Sequence, residues 1–214
     1  MTKPFETAQF QRADVDIISE KTGFDGFFKL AVTRLRHRLF RGGWSAEIER
    51  EMFVKTEAAA AVLYDPANDL IGLVEQFRAG ALDSEYGPWC LEVVAGMLEL
   101  GEHPDDLILR EIEEEAGLVP SALHKITSYY STPGACNEKI HLYCAEVDLL
   151  AAGGFYGLDS ENEDIQFSVY PALDVLAAML NSRMNNAATL LGLQWLAMNR
   201  ERLVQAYKES SLGL

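Results

Sequence analysis

An α+β fold is predicted by three observations on the chain. Six segments between residues 58 and 170 carry strand patterning. Only three helical stretches accompany them, without the strict strand–helix alternation of a parallel sheet. Ahead of them, residues 1–56 form a separate β-rich piece, an N-terminal antiparallel β-arm.

The arm comes first. Phe28, Leu30 and Val32 alternate with Lys29, Ala31 and Thr33 in a half-buried strand pattern. The phase then flips, so that Arg34, Arg36 and Arg38 take the parity that was apolar. A bulge or a change of packing partner near Thr33 is expected. Arg41-Gly42-Gly43 supplies a turn, and Ser45–Lys55 returns with Glu47, Glu49 and Glu51 on one face, predicting cross-strand pairs with the arginines. A β-ribbon of this kind buries too little apolar surface to stand alone, and a dimerisation role is expected.

The main domain runs from 57 to 214. Ala58–Tyr64 and Leu70–Phe77 read as strands joined by the turn sequence Asp65-Pro66-Ala67-Asn68-Asp69. Trp89–Ala95 is a third strand, and Lys125–Ser131, Ile140–Val147 and Ile165–Tyr170 are three more. Thr132–Glu138 and Gly153–Asp164 read as loops. Two closing helices, near 171–180 and 187–207, carry apolar residues such as Leu193, Trp195 and Leu196 for the core.

The chemistry concentrates between Gly96 and Leu118. Pro104 suits a first helical position, Asp105 and Asp106 face the positive end of the helix dipole, and Gly117 suits the left-handed residue that ends a helix. Leu107, Ile108 and Ile112 form a stripe for burial. Glu111, Glu114 and Glu115 share another face, within about 6 Å of each other. Like charges so placed destabilise a bare helix, but hard divalent cations such as Mg2+ want carboxylate oxygens and bind phosphates at the same time. Arg110 is placed to orient a glutamate, and Glu102 to brace the loop.

Composition sets limits. The 214 residues carry a net charge of −15 and 49% hydrophobic residues, which argues against broad contact with nucleic acid or anionic membrane. Cys90, Cys136 and Cys144 are odd in number and lack metal-ligand spacing, as reduced core thiols do. There is no apolar run of about 18 residues and no signal-peptide shape in MTKPFETAQF, so a cytoplasmic location is expected.

Gly96, Glu102, Arg110, Glu111, Ile112, Glu114, Glu115, Gly117 and Leu118 fill every constrained position of G-x5-E-x7-R-E-U-x-E-E-x-G-U, U being aliphatic. Average composition puts a chance match at about one in a million. The stretch resembles the signature of the Nudix hydrolases. The resemblance widens to the ADP-ribose pyrophosphatase subgroup through GFF at 26–28, RHRLF at 36–40, EQFR at 75–78 and VAGM at 94–97. Pro133, GLDSENEDI at 157–165, and NAA at 186–188 with LQWL at 193–196 extend it over nearly the whole chain.

What the resemblance implies is a Nudix α/β/α sandwich and a homodimer with exchanged N-terminal arms. The implied reaction is hydrolysis of ADP-ribose to AMP and ribose 5-phosphate, with two or three Mg2+ ions and Mn2+ as a substitute. By the resemblance, the metal ligands fall on the Ala95 carbonyl, Glu111, Glu115 and Glu163, and the general base on Glu161. The residues alone leave Glu161 and Glu163 interchangeable as base and ligand. Glu114 matches a supporting carboxylate. Phe27 and Phe28 match an aromatic pair packing on adenine, and Arg50 and Glu51 match ligand contacts from the partner arm. Arg78 matches a phosphate contact and Glu138 a contact to the terminal ribose, with Met97, Thr132, Pro133 and Gly134 on the same substrate. Lys55 stands where the subgroup tends to have arginine, so a single-point phosphate contact is expected there. Two alternatives accompany this reading: a pyrophosphatase for another nucleoside diphosphate sugar such as GDP-mannose, and a non-catalytic ADP-ribose sensor. The sensor would show broken metal ligands and an added DNA-binding segment.

Overall fold

The structure, a computed structural model, describes residues 8–158, 163–181 and 183–211. The chain divides into two compact units. One comprises the residues up to Lys55 together with Ser131–Glu138, and the other Thr56–Tyr130 with the chain from Lys139 onward. Ser131–Glu138 thus clusters with the first unit although it follows β8 in the chain.

The first unit is built on β1 (Val15–Asp25), β2 (Lys29–His37) and β3 (Ile48–Val54), antiparallel in that order. Three strands replace the expected two. Val15–Asp25 escapes a sequence reading because nine of its eleven residues are exposed, so no alternation marks a buried face. β2 and β3 pair without interruption from Lys29–Val54 to Leu35–Ile48, and the bulge expected near Thr33 falls in the ladder on the other side of β2, opposite Leu35 and Arg34. The irregularity lies in β1, where the ladder steps from Ile17 to Ser19 and from Thr22 to Phe24, leaving Ile18 and Gly23 as the extra residues. The arginines of the middle strand pair to both sides, Arg34 with Glu47 just ahead of β3 and Arg36 with β1. Arg34 meets Glu47 at 2.5 Å and Arg36 meets Asp16 at 2.8 Å. Arg38 lies 4.4 Å over the Trp44 ring.

Ser131–Glu138 joins β3 by main-chain bonds. Phe53 N–H donates to the Ala135 carbonyl at 2.8 Å, and Asn137 N–H to the Phe53 carbonyl at 3.3 Å.

The second unit is one mixed sheet covered on both faces. In chain order it holds β4 (Ala58–Asp65), β5 (Leu70–Phe77), β6 (Trp89–Glu92), β7 (Val94–Met97), α1 (Pro104–Ala116), β8 (Ala122–Tyr130) and β9 (Lys139–Glu146). Then come β10 (Gly154–Tyr156), β11 (Ile165–Pro171), α2 (Ala172–Ala178) and α3 (Ala187–Ser211). The sheet order is β10-β11-β5-β4-β9-β8, with β4 and β9 parallel. The short β10 lies inside the stretch expected to be a loop.

β4 is the centre of the layers. All eight of its residues, AAAAVLYD, are buried, and successive side chains serve opposite cores. Ala59, Ala61 and Leu63 join Leu107, Ile108 and Ile112 of α1, while Ala60, Val62 and Tyr64 join Leu193, Leu196 and Leu203 of α3. Alanine has little intrinsic preference for strands, so burial on both faces overrides propensity here. Its small side chain lets a helix approach closely on each side.

The expected single strand Trp89–Ala95 is broken. β6 pairs with β5, β7 pairs with β4, and Val93 between them belongs to neither ladder. β4 and β5 pair only at Leu63–Asp65 and Leu70–Gly72, next to their turn. Beyond it they splay, and the β6–β7 segment fills the gap by changing partner.

Gly192 of α3 marks a close approach of this helix to β4: a Cβ there would stand 2.5 Å from Val62 Cγ2. Gly192→Ala is expected to lower stability by about 1–2 kcal/mol, because an overpacking cost of about 2–3 kcal/mol outweighs the gain of about 1 kcal/mol in helix propensity. A thermal melt reads this as a fall of roughly 2–8 °C. A melt at or above the wild-type temperature would mean that Val62 yields freely.

Candidate active site

The site begins with the capping of α1. The His103 ring accepts the Asp105 N–H at 3.3 Å, Pro104 occupies the first turn, and Gly117 closes the helix at φ +66°. Tyr143 of β9 donates its hydroxyl to Asp105 Oδ1 at 2.5 Å, anchoring the first turn to the sheet. Leu107, Ile108 and Ile112 are fully buried, which fixes the rotation of the helix. That rotation turns Glu111 and Glu115 toward β7.

Glu115 is only 3% exposed. Its Oε2 accepts the Ala95 N–H at 3.3 Å. Glu111 lies against Gly96 so closely that a Cβ on that residue would fall 1.9 Å from Glu111 Oε1. Any residue but glycine at 96 would displace the carboxylate, which gives the first constrained position of the signature its physical reason. Arg110 spreads over three carboxylates instead of forming a bidentate pair with one. It reaches Glu102 at 3.3 Å, Glu111 at 3.1 Å and Glu114 at 2.8 Å. Glu114 thus turns toward Arg110, and Glu102 also accepts the Glu99 N–H at 3.0 Å in a loop brace.

Glu115 is buried on this face and Glu111 half-buried, and both carboxyls respond to it. Burial is the main cause that pushes the Glu115 carboxyl up to about 8. The charges of Glu111 and Glu163 add to it, while the Ala95 N–H and the Arg78 charge oppose it. Burial likewise raises Glu111 to about 7; Arg110 pulls against it, and Glu114 and Glu163 push with it. Glu163 therefore stands close enough to act on both. Glu161 falls among residues 159–162, outside the described residues.

Arg78, at the end of β5, bonds Glu92 of β6 at 2.9 Å through both Nε and Nη2. The pair opens on a cavity of about 510 Å³ lined also by Asp83, Ser84, Cys90, Asn185 and Asn186. Nothing in the local sequence of Asn185 and Asn186 marked them as neighbours of Arg78, since about a hundred residues separate them. Met97, at the end of β7, is 42% exposed.

The remaining predicted residues belong to the first unit. Phe27 is 86% exposed and meets Phe28 edge-on, with ring centroids 4.7 Å apart; Phe28 in turn packs on Phe53 at 5.0 Å. Arg50 and Glu51 are exposed on β3, and Arg50 donates to the carbonyl of its neighbour Glu49 at 2.8 Å. Lys55 and Glu138, each expected to touch substrate, form an ion pair with one another, and Lys55 Nζ stands 5.6 Å from the Phe28 ring centroid. Thr132, Pro133 and Gly134 are exposed at a turn in which the Thr132 carbonyl accepts Cys136 N–H at 3.0 Å.

As a donor set, the α1 face suits a hard divalent cation. It offers desolvated carboxylate oxygens whose mutual repulsion such an ion would remove. Among the described residues, no three His, Cys, Asp or Glu side chains already converge as a metal-holding group.

The chain matches the family described as NUDIX domain over residues 54–190. It is 41% identical over 208 residues to the ADP-ribose pyrophosphatase of Haemophilus influenzae, covering 96% of each chain. It is 28% identical over 181 residues to the GDP-mannose pyrophosphatase of Pectobacterium atrosepticum, covering 84% of this chain and 92% of the relative. A solved structure titled "Crystal structure of ADP compounds hydrolase" superposes with a TM-score of 0.66 at 18% identity, over 90% of this chain and 98% of the other, which speaks to the fold.

The Glu115 carboxyl gives a stability test with a definite sign. Its pKa in the fold, about 8, lies above the ordinary value near 4.5. Folding therefore favours the protonated form, and stability is lost as pH rises from about 4.5 through 8. The gap caps the effect at about 5 kcal/mol. With divalent ions chelated, Glu115→Gln is expected to melt several degrees above wild type at pH 8 and within about a degree of it at pH 4.5. Equal melting temperatures at pH 8 would show that the carboxylate is not desolvated.

Proposed function

The chain belongs to the Nudix family, and from that premise we infer that it hydrolyses the pyrophosphate bond of ADP-ribose and related ADP-sugars in the presence of Mg2+. The observation that carries the reading is the pair of carboxylates held against β7, Glu115 buried and Glu111 half-buried. It stands in a chain that matches an ADP-ribose pyrophosphatase over 96% of both lengths. The reaction adds water across one phosphoanhydride bond and releases AMP and ribose 5-phosphate.

Mg2+, with Mn2+ as a substitute, would be held by Glu111, Glu115, Glu163 and the Ala95 carbonyl. Two or three such ions would neutralise the diphosphate and lower the pKa of water beside it. The chain's own residues do the rest. Arg110 holds Glu111 and Glu114 by 3.1 and 2.8 Å contacts, so the carboxylates keep their places as charges rearrange. The Ala95 N–H, donated to Glu115, favours its ionised form. Arg78 forks onto a phosphate oxygen in exchange for part of its bond to Glu92. Glu161 takes the proton of the attacking water, a step that contributes typically 10²–10⁴-fold. Met97 and Gly134 with its neighbours Thr132 and Pro133 line the substrate, and Glu138 accepts hydroxyl hydrogens of the terminal ribose after leaving Lys55, which then meets a phosphate.

We further infer a homodimer with exchanged arms, residues 1–56, against Nudix domains of residues 57–214. Its support is apolar surface on the arm: Phe24 is 64% exposed, Phe27 86% and Phe40 81%. Such residues are enriched where partners meet. Within that dimer Phe27 and Phe28 of one chain stack on adenine in the other chain's site, and Arg50 and Glu51 reach the same ligand. No described helix is long and apolar enough to cross a membrane. With three free, buried cysteines, a cytoplasmic location is the natural one.

A second reading, a preference for a GDP-sugar, is carried by the 28% relative alone. A panel of nucleoside diphosphate sugars assayed with Mg2+, with products separated, decides between them. ADP-ribose is expected to give AMP and the highest kcat/KM, by tenfold or more over GDP-mannose on the order of a selective pocket. A faster GDP-mannose reaction would reverse the assignment, and no hydrolysis of any member would overturn the enzyme reading.

The composite site has its own check. Arg50→Ala and Glu115→Gln are each expected to be nearly inactive, the latter by several orders of magnitude in kcat. Mixed and allowed to exchange chains, they regain one intact site per heterodimer, up to roughly half of wild-type activity per heterodimer by the symmetry of a two-fold assembly. Verified exchange without recovery would place both residues in one chain's site.

A further inference from the structure

We propose that Thr189, at the start of α3, is a positioning residue for the site: its hydroxyl sets the point at which the β6–β7 segment changes partner, and so the register that brings Ala95 to Glu115 and Gly96 to Glu111. The proposal deepens the reading of the site given above and depends on it only for the activity arm of its test.

Val93 is the hinge of that change. It is 2% exposed and stands between the β5–β6 and β4–β7 ladders. Its N–H donates to Thr189 Oγ1 at 3.0 Å. A buried amide left without an acceptor is costly, so the partner change is favoured at the residue where this acceptor waits. Thr189 is itself fully buried, and its oxygen is not free to wander. Its N–H donates to Asn186 Oδ1 at 2.9 Å, the side-chain cap that opens α3, and the Asn186 carbonyl accepts the Leu190 N–H at 3.2 Å. The NAA stretch at 186–188, part of the resemblance but without a role in the chemistry, thereby acquires one.

The register consequence is sharp because a strand has a period of two. A slip of one residue in β7 would turn the Ala95 N–H away from Glu115 Oε2, which it now meets at 3.3 Å. It would also bring a side-chain-bearing residue to the place where Glu111 tolerates only the bare Cα of Gly96. Neither ligand carboxylate touches Thr189, so its action passes through the main chain of residues 93–96.

Thr189→Val keeps the shape and removes the acceptor, while Thr189→Ser keeps the acceptor. Leu203→Ala, at a buried position further along α3, supplies a control of comparable stability loss remote from the hinge. Three quantities are read well below melting with all chains intact: kcat and KM for ADP-ribose at saturating Mg2+, amide hydrogen exchange at Val93 and Ala95 with divalent ions chelated, and melting temperature. Thr189→Val is expected to lower kcat about tenfold or more with KM within about threefold. It should also speed exchange at Val93 and Ala95 about tenfold or more. Thr189→Ser restores both, and Leu203→Ala melts early with wild-type kcat and Ala95 protection. Thr189→Ala takes the place of the valine if that chain does not fold.

Wild-type kcat and protection in Thr189→Val would overturn the proposal. So would the same two losses in Leu203→Ala, which would make Thr189 one more packing residue. If the wild-type chain hydrolyses nothing, the functional reading fails, and the exchange measurements judge Thr189 by themselves.

Discussion

The second unit is organised around one constraint: two carboxylates on one helix face, Glu115 buried and Glu111 half-buried, must be held against β7 largely out of solvent. Desolvation is the largest cause raising both, to about 7 and about 8. Left to itself such a face would twist its helix to rehydrate, since ionised groups resist burial. The fold prevents this by packing Leu107, Ile108 and Ile112 on the opposite side, by tying the first turn to Tyr143, and by ending the helix sharply at Gly117. Arg110 then neutralises the rim without touching the inner oxygen of Glu115, which is left to the Ala95 amide.

The sheet makes that arrangement possible through a small-residue centre. Alanines in β4 allow α1 on one face and α3 on the other, and the splay of β4 from β5 makes room for the broken β6–β7 segment. Rigid elements therefore carry Glu111, Glu115, Ala95 and Gly96, whereas the acidic stretch from Gly157 carries Glu161 and Glu163. The proposed ligand positions that tolerate little error thus sit on helix and strand, a placement suited to preorganised chemistry.

Charge is arranged with the same economy. In a chain of net charge −15, the cations proposed to meet phosphate are already engaged: Arg78 with Glu92 and Lys55 with Glu138. An anionic substrate must compete for them, and the divalent ions proposed for the α1 face would supply the positive field that the protein lacks.

Much of this was legible before any coordinates. Pro104 and Gly117 mark the helix ends, the spacing of Glu111, Glu114 and Glu115 marks one face, and DPAND marks the β4–β5 turn, because capping, dipole and turn preferences act over a few residues and write themselves into adjacent letters. The resemblance to the Nudix signature carried the family. What local sequence could not reveal were effects that act across the chain. Trp89–Ala95 reads as one strand because its apolar run is continuous; only the splay of β4 from β5 and the hydroxyl of Thr189, nearly a hundred residues on, decide that it breaks at Val93. β1 stayed hidden because an exposed strand needs no hydrophobic period. Glu114 and Glu115 carry the same side chain one residue apart, yet one turns to Arg110 and the other is sealed from water. The identity of a side chain fixes its chemistry, but its solvation depends on what the rest of the chain lays over it, and that is settled only in three dimensions.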